Sequence, residues 1–440
     1  MPETDTPGVL HSPDMPSPGA LALEIFIAIL VCVALGLAWT SRPAYRLRRR
    51  RTVAAFVSGG WVSVFVGITL GPSGFGFISR EAVLESVPLI AAALGAVGFM
   101  IGFQMRGSVL RTIPASFYRA AAADILLTAA LVGGIGLLGL RIWVPGASAA
   151  ELWLPMAFLI AASFGWSMET RSLGSTASPH LGLWVRVTGA LLGIAALVCF
   201  GMASKAVERD AFGILHFSTD RALLKVLHTV VLALAIGFLG RFMIGLASDR
   251  AGHQFAVFLG LIAFTAGSAK QLDTSPLFSS LLAGAVMANL KAPGLRTFES
   301  FIARGEHVMG VFFGVLVGIL LRVDLGLAPV MLGVAIFAVR TIVKPGVVRA
   351  ESPDLHELPV PEQAACRMRL AGAVIRQSPI MLALGVSLIL IEPSAFHKQL
   401  VSVVVLTGIL CETQVALMLH QRRSRAAGSE AAAAAGTVSP

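Results

Sequence analysis

The sequence predicts an all-α polytopic membrane protein with about 13 transmembrane helices, and three observations predict it. First, 56% of the 440 residues are hydrophobic and only 13% are charged, where an average soluble domain carries about 25% charged residues. Second, the apolar residues fall into successive runs near the ~20 residues that a helix needs to cross the hydrocarbon core. Third, Lys and Arg gather in alternate loops between those runs, as they do on the cytoplasmic side of membrane proteins. Soluble enzymes and nucleic-acid binders are excluded on the same grounds. The partner the composition implies is the lipid bilayer.

In chain order, residues 1–19 are Pro-rich, hold Glu3, Asp5 and Asp14 but no Lys or Arg, and so lack the basic start of a signal peptide. They read as a disordered extracytoplasmic tail. Thirteen apolar segments follow, at 20–39, 52–70, 86–105, 120–140, 152–168, 183–203, 223–240, 254–269, 275–290, 307–323, 326–348, 371–391 and 399–419. The first is closed by the basic run Arg46, Arg48, Arg49, Arg50 and Arg51, and the third by Arg106. Arg119 precedes the fourth, Arg241 follows the seventh, Lys291 follows the ninth, and Arg422, Arg423 and Arg425 follow the thirteenth. With the N-terminus outside, all of these lie inside the cell, together with most of the 34 basic residues. The expected location is therefore the inner (plasma) membrane, with the C-terminus in the cytoplasm. The transmembrane domain spans 20–421. The inner loop 349–370 reads as a solvated linker or a partner-binding segment, and 422–440, basic and then Ala-rich, as a disordered tail.

Chemistry-bearing motifs are few. The four cysteines form no CxxC or Cys/His cluster, so no disulfide framework and no metal site is expected. No nucleophile elbow, P-loop or dinucleotide-binding glycine pattern occurs, so the chain is read as no enzyme and as needing no cofactor. His228, the one histidine inside a span, is read as packed.

Four strings carry a resemblance. The second segment ends in Gly67, Leu70, Gly71, Pro72, Ser73, Gly74 and Gly76, spaced as in GxxLGPSGLG. Phe99 to Met105 is similar to FLIGLEL with Gln104 in place of Glu. Ser275 to Asn289 is similar to SPALGAFLAGLVLSN, and Phe312 to Gly318 to FFVLVG. These strings, in this order, resemble the monovalent cation/proton antiporter superfamily of bacterial sodium/proton antiporters and potassium efflux systems. The resemblance covers most of 20–420. It implies two inverted repeats after an extra first helix, a dimerising scaffold, and a mobile core of helices four to six and eleven to thirteen. It also implies that helices five and twelve are broken at mid-membrane and cross, and that the protein is a homodimer. Ser163 to Ser167 in the fifth segment, and Arg376, Gln377, Ser378 and Pro379 in the twelfth, are where the breaks are expected, since Pro379 removes a backbone donor.

The family's chemistry rests on an aspartate at the start of the sixth helix, because a buried carboxylate that binds either a cation or a proton couples two fluxes. Here that position falls at Thr188 or Gly189, and neither titrates. Thr188 and Ser163 can offer oxygen ligands, or can bond their own helix backbone. Arg340 and Lys344, four apart and so on one face of the eleventh helix, match the family's basic residue there; Lys344 could instead snorkel to the inner interface. The remaining core acids are Asp124, paired either with Lys344 or with Arg119, and Glu412, either proton-carrying or a lipid-edge acid. A charged residue at the bilayer centre is costly and usually functional. The expected function is a secondary transporter exchanging a monovalent cation, Na+ or K+, for a proton by elevator alternating access at an atypical site. Two alternatives stay open. Arg186, Arg340, Lys344 and Arg376 outnumber the core acids, which suits an anion or small-solute carrier. Loss of the aspartate suits a non-transporting scaffold or sensor.

Overall fold

The computed structural model describes residues 61–166, 179–209, 215–217, 219–246, 251–272, 274–290, 295–322, 324–351 and 370–436, with five positions of the first apolar segment, all helical. The expected tail 1–19 and nearly all of the loop 349–370 lie outside the described residues. In chain order the helices are α1 (Trp61–Leu70), α2 (Arg80–Glu85), α3 (Val87–Phe103), α4 (Gly107–Leu110), α5 (Ala115–Trp143), α6 (Ala149–Phe164) and α7 (Pro179–Ala203). They continue with α8 (Thr219–Leu246), α9 (Ala251–Gln271), α10 (Pro276–Asn289), α11 (Leu295–Leu320), α12 (Leu327–Glu351), α13 (Ile380–Ile391) and α14 (Ala395–Gly436). Among the described residues every expected apolar segment contains helix. Six helices among the described residues are long and apolar enough to cross a membrane by length and composition, those in α5, α7, α8, α9, α12 and α14. α1, α3, α6, α10, the Val308–Leu320 part of α11, and α13 are shorter apolar helices. One addition to the helical reading is a small antiparallel hairpin, β1 (Val207–Arg209) with β2 (Leu215–Phe217). It lies in the loop between the sixth and seventh segments, where strand edges can be hydrated as they cannot be in hydrocarbon. α14 runs on past the thirteenth segment into the alanine-rich stretch, consistent with alanine's helix propensity.

Helix pairing reveals the repeat. α1 packs on α11, and α3 on α10. In span order these are the second with the tenth and the third with the ninth. Shifting each number by seven exchanges the two pairs. α5 on α12, the fourth with the eleventh, maps onto itself, and α6 on α14 exchanges with α7 on α13. Seven crossings is an odd number, so the second unit runs through the membrane in the opposite sense: the repeats are inverted.

The glycine-rich strings are packing devices for the scaffold. A side-chain carbon on Gly98 would lie 2.1 Å from the Leu277 carbonyl oxygen, and one on Gly284 2.4 Å from that of Phe99. The backbones of α3 and α10 therefore touch, as small residues allow in lipid. At α1 and α11 the same is done by Gly67 and Gly318. Asn289 closes one end of the pair: its amide donates to Met105 O at 2.8 Å and its oxygen accepts from Gly107 N at 2.7 Å. At the other end Gly76, at φ +69°, turns the loop after α1, and Glu24 accepts from both the backbone and the hydroxyl of Ser79.

Two helices are interrupted. α6 starts at a capping box, Ser148 with Glu151, and ends at Phe164, where Gly165 turns extended (φ −65°, ψ 135°). Residues 370–375 are helical, 376–379 are not, and α13 begins after Pro379. The two unwound strands meet as an antiparallel bridge between Trp166 and Gln377. The end of α6 and the opened stretch of the twelfth segment thus cross, in the two segments where the breaks are expected; the last residues of the fifth segment lie outside the described residues.

Gly98→Ala and Gly284→Ala are each expected to cost about 1–3 kcal/mol, the usual range for overpacking. Gly134→Ala, in open space on α5, should gain up to about 1 kcal/mol from helix propensity. Thermal melts in detergent, read by size-exclusion recovery, check the contrast.

Candidate functional site

The crossing is built from the negative ends of helices. The last carbonyls of α6 have no helical partners, and α12 supplies donors from one face. Arg340 donates to the carbonyl of Ser163, to Gly165 O at 3.1 Å, to Ile375 O at 3.3 Å and to Arg376 O at 3.5 Å. One guanidinium therefore ties together both broken segments. One turn on, Lys344 Nζ donates to Phe164 O at 2.8 Å and to Asp124 Oδ2 at 2.5 Å. Asp124, on α5, also accepts from Thr128 Oγ1 at 3.2 Å. Asp124, Lys344 and Arg340 are all fully buried. The Lys344 ammonium lies 5.8 Å from the centre of the Trp166 ring. Trp166 in turn donates to Val185 O at 3.0 Å and leans on Trp184, ring centres 5.8 Å apart.

A second buried pair lies on the other broken segment. Arg376 Nε is 3.3 Å from Glu412 Oε2 of α14, with the residues 4% and 1% exposed. Gln377, next along, donates its amide to Ala162 O at 3.0 Å. Where cations meet a carboxylate and several carbonyls in a dry region, the partners hold one another: removing one leaves an uncompensated buried charge.

With this geometry in view, the fold can be compared with solved structures. The chain is similar to the sodium proton antiporter MjNhaP1 from Methanocaldococcus jannaschii, solved at pH 8, with a TM-score of 0.58 over 91% of this chain and 96% of that one. The two share a fold. Their sequences are 14% identical, so the likeness concerns architecture alone. No protein-family model and no curated protein sequence matches the chain.

The structure brings most of the expected residues together. Asp124, Arg340, Lys344, Arg376 and Glu412 all face the crossing or its flank. Lys344 does not snorkel, because Asp124 and the Phe164 carbonyl hold it inside. Asp124 takes Lys344 as its partner, and Arg119 lies exposed. Glu412 is no lipid-edge acid, since Arg376 covers it. Ser163 bonds its own backbone, Oγ to Leu159 O at 2.7 Å, and contributes through its carbonyl. Thr188 and Gly189 are buried on α7. The Thr188 hydroxyl has no hydrogen-bond partner among the described residues, so it does not bond its own helix as Ser163 does. Arg186 is exposed on α7, away from the buried cations, and His228, expected to be packed, is exposed on α8. Among the described residues no group of His, Cys, Asp and Glu could hold a metal ion. Sequence reasoning missed the carbonyls of Ser163, Phe164 and Gly165, which become ligands only because α6 unwinds. It also missed the buried indole N–H of Trp61.

The Asp124–Lys344 pair has a thermodynamic signature. Lys344→Met is expected to destabilise the protein by about 3–5 kcal/mol, because Asp124 is left charged and buried. Adding Asp124→Leu should restore most of that loss. Chemical denaturation in detergent at constant pH measures the cycle, and a double variant no better than the single one would deny the pairing.

Proposed function

We propose that the protein is a secondary carrier that exchanges a monovalent cation, Na+ or K+, for a proton, with the Asp124–Lys344 pair as its exchange site. The observation that carries this reading is the position of the Lys344 ammonium. It occupies a nest of oxygens, Asp124 Oδ2 and Phe164 O, at the C-terminal end of a half-helix, where the helix dipole favours positive charge. Those oxygens suit a bare monovalent cation as well as an ammonium. When a cation takes the nest, Lys344 gives up a proton and withdraws as a neutral amine; when the cation leaves, Lys344 takes a proton and returns. The site holds one positive charge throughout, and cation and proton move by competition. Thr188, with its unengaged hydroxyl one turn beyond Trp184 on α7, can complete the ligand set.

The fold supports the rest of the reading. The buried pair sits among the six helices of the expected core, while the glycine-packed α1, α3, α10 and α11 form a rigid frame. Sliding of the former against the latter carries the crossing from one side to the other, as elevator alternating access requires. The basic loops favour an N-terminus outside, a cytoplasmic C-terminus and the plasma membrane, and the family resemblance favours a homodimer. The anion alternative is weakened by the partners of the buried cations: Arg340 is engaged by carbonyls, Lys344 by Asp124 and Arg376 by Glu412, and Arg186 is exposed.

Flux in proteoliposomes tests the proposal. With a pH jump against Na+ or K+, the wild type should dissipate the proton gradient, and Asp124→Asn should reduce the rate at least about 100-fold. That factor corresponds to an exchange site with its charge removed, at about tenfold per 1.4 kcal/mol. Unaltered exchange in Asp124→Asn would overturn the site. A wild type inert to cations but active with chloride would favour the anion carrier, and one inert to both the non-transporting scaffold.

A further inference from the structure

The Arg376–Glu412 pair takes no part in the exchange just described, and its surroundings differ from those of Asp124. Glu412 lies one helical turn past Gly408 on α14, so both share a face. Gly408 is bare for a reason: a side-chain carbon there would lie 2.1 Å from Trp61 Cη2 and 2.7 Å from Gln377 Oε1. The indole of α1, a frame helix, is thus wedged against a core helix beside the unwound segment. Trp61 is 1% exposed and Gln377 3% exposed. The Trp61 Nε1 donor and the Gln377 Oε1 acceptor have no hydrogen-bond partner among the described residues. Buried polar atoms are nearly always satisfied. Trp61, through its benzo ring, and Gln377, through Oε1, meet at the same glycine, one with an unmet donor and the other with an unmet acceptor, and a group that both accepts and donates satisfies both.

Water is that group. A buried water needs a polar site with two to four partners; the indole N–H and the amide oxygen offer two, and Glu412, one turn on from Gly408 and paired with Arg376 beside Gln377, offers a third. A bare cation fits less well, because the indole N–H and the Arg376 guanidinium both repel it. We propose that Trp61, Gln377 and Glu412 form a hydrated proton-binding site at the boundary between frame and core, separate from the Asp124 site. A proton relayed through this water, which gives one proton to the Glu412 carboxylate as it takes another from the next water in line, leaves a neutral carboxylic acid and the water unchanged. The ion pair with Arg376 is then cut. Arg376 belongs to the unwound segment, whose carbonyl Arg340 also holds, so protonation of Glu412 loosens one of the ties that fix the crossing. Among the described residues the charged and titratable groups on this face are Arg376 from the unwound segment and Cys411 from α14, with Arg340 and Lys344 of α12 beyond the Cys411 thiol. The proton site stands by itself; only its effect on transport rests on the carrier reading.

Infrared difference spectroscopy of the full-length protein in lipid vesicles, taken across a pH titration, tests it. Acidification should produce the carbonyl band of a buried protonated carboxylic acid. That band should be lost in Glu412→Gln, kept in Asp124→Asn, and kept at a shifted midpoint in Glu412→Asp, which guards against a folding defect in the glutamine variant. Trp61→Phe, which keeps an aromatic ring but removes the donor along with the second ring, should move the midpoint by about one pH unit, as should Gln377→Leu, since each deletes one partner of the water. A band unchanged in Glu412→Gln, or absent from the wild type at every pH, overturns the proposal. A midpoint unmoved in both Trp61→Phe and Gln377→Leu overturns the hydrated pocket. In vesicle flux, Glu412→Gln should keep cation-driven exchange but change its pH profile, and an unchanged profile overturns the coupling to the crossing. Wild-type vesicles without flux but with the Glu412 band would reject the carrier reading and uphold the proton site.

Discussion

Backbone that unwinds inside a membrane must find partners there, and the rest of this structure depends on how that demand is met. In hydrocarbon an open carbonyl has no water to turn to. α6 stops at Phe164 with its last carbonyls unpaired, and the twelfth segment opens for four residues before α13. The crossing supplies one bridge, Trp166 with Gln377. Arg340 and Lys344 supply the remaining donors, reaching from a third helix to both strands. Without them the two breaks would each cost several kcal/mol in unsatisfied groups. The cations of α12 are therefore structural before they are anything else.

Their charge then has to be matched. Among the described residues at the crossing and its flank, three buried cations, Arg340, Lys344 and Arg376, face two buried acids, Asp124 and Glu412. Lys344 and Arg376 take one carboxylate each. Arg340 takes none and is held by carbonyl oxygens at the end of α6, which carries roughly half a negative charge from the helix dipole. The result is a core that is close to neutral although rich in ions. In the carrier proposed above, such a core would slide past a frame of backbone-to-backbone glycine contacts without carrying a bare charge through an apolar surface. The wedge of Trp61 against Gly408 marks one place where frame and core interlock.

Much of this was legible in the sequence, but unevenly. The thirteen apolar segments, their packing glycines and the two breaks could be read because each leaves a local mark: length, small residues, Pro379. The strings that carry the family resemblance turn out to serve packing. Gly67, Gly102, Gly284 and Gly318 bring backbones together, and Asn289 pins an end. They identify an architecture and are silent on chemistry. The break in α6 has no proline; only Gly165 hints at it, and the partners that permit it come from α12, about 175 residues away. The pairing of Asp124 with Lys344 rather than Arg119 is equally non-local. Arg119 is the nearer in sequence, yet it lies at an exposed end where water competes, while Lys344 meets the carboxylate in a dry interior. Trp61 could not be read as polar at all, since in a membrane span its indole looks like any other apolar ring until its N–H is found buried.

The neutral residues at Thr188 and Gly189 now have a physical context. The exchange proposed above asks for one buried carboxylate within reach of the end of α6; the helix that supplies it is secondary. Here α5 supplies Asp124, and α7 presents Trp184 and an unengaged threonine hydroxyl on the same side. The acid has a cost of burial, which Lys344 and Thr128 offset, and the lysine has its own, which Asp124 and the Phe164 carbonyl offset. Each member makes the other tolerable. Neither could be lost alone without stranding its partner, so the pair is a constraint on the fold as well as a candidate for chemistry. A second acid on α7 beside this pair would add negative charge to a site already balanced, and Thr188 leaves it with an oxygen and no charge.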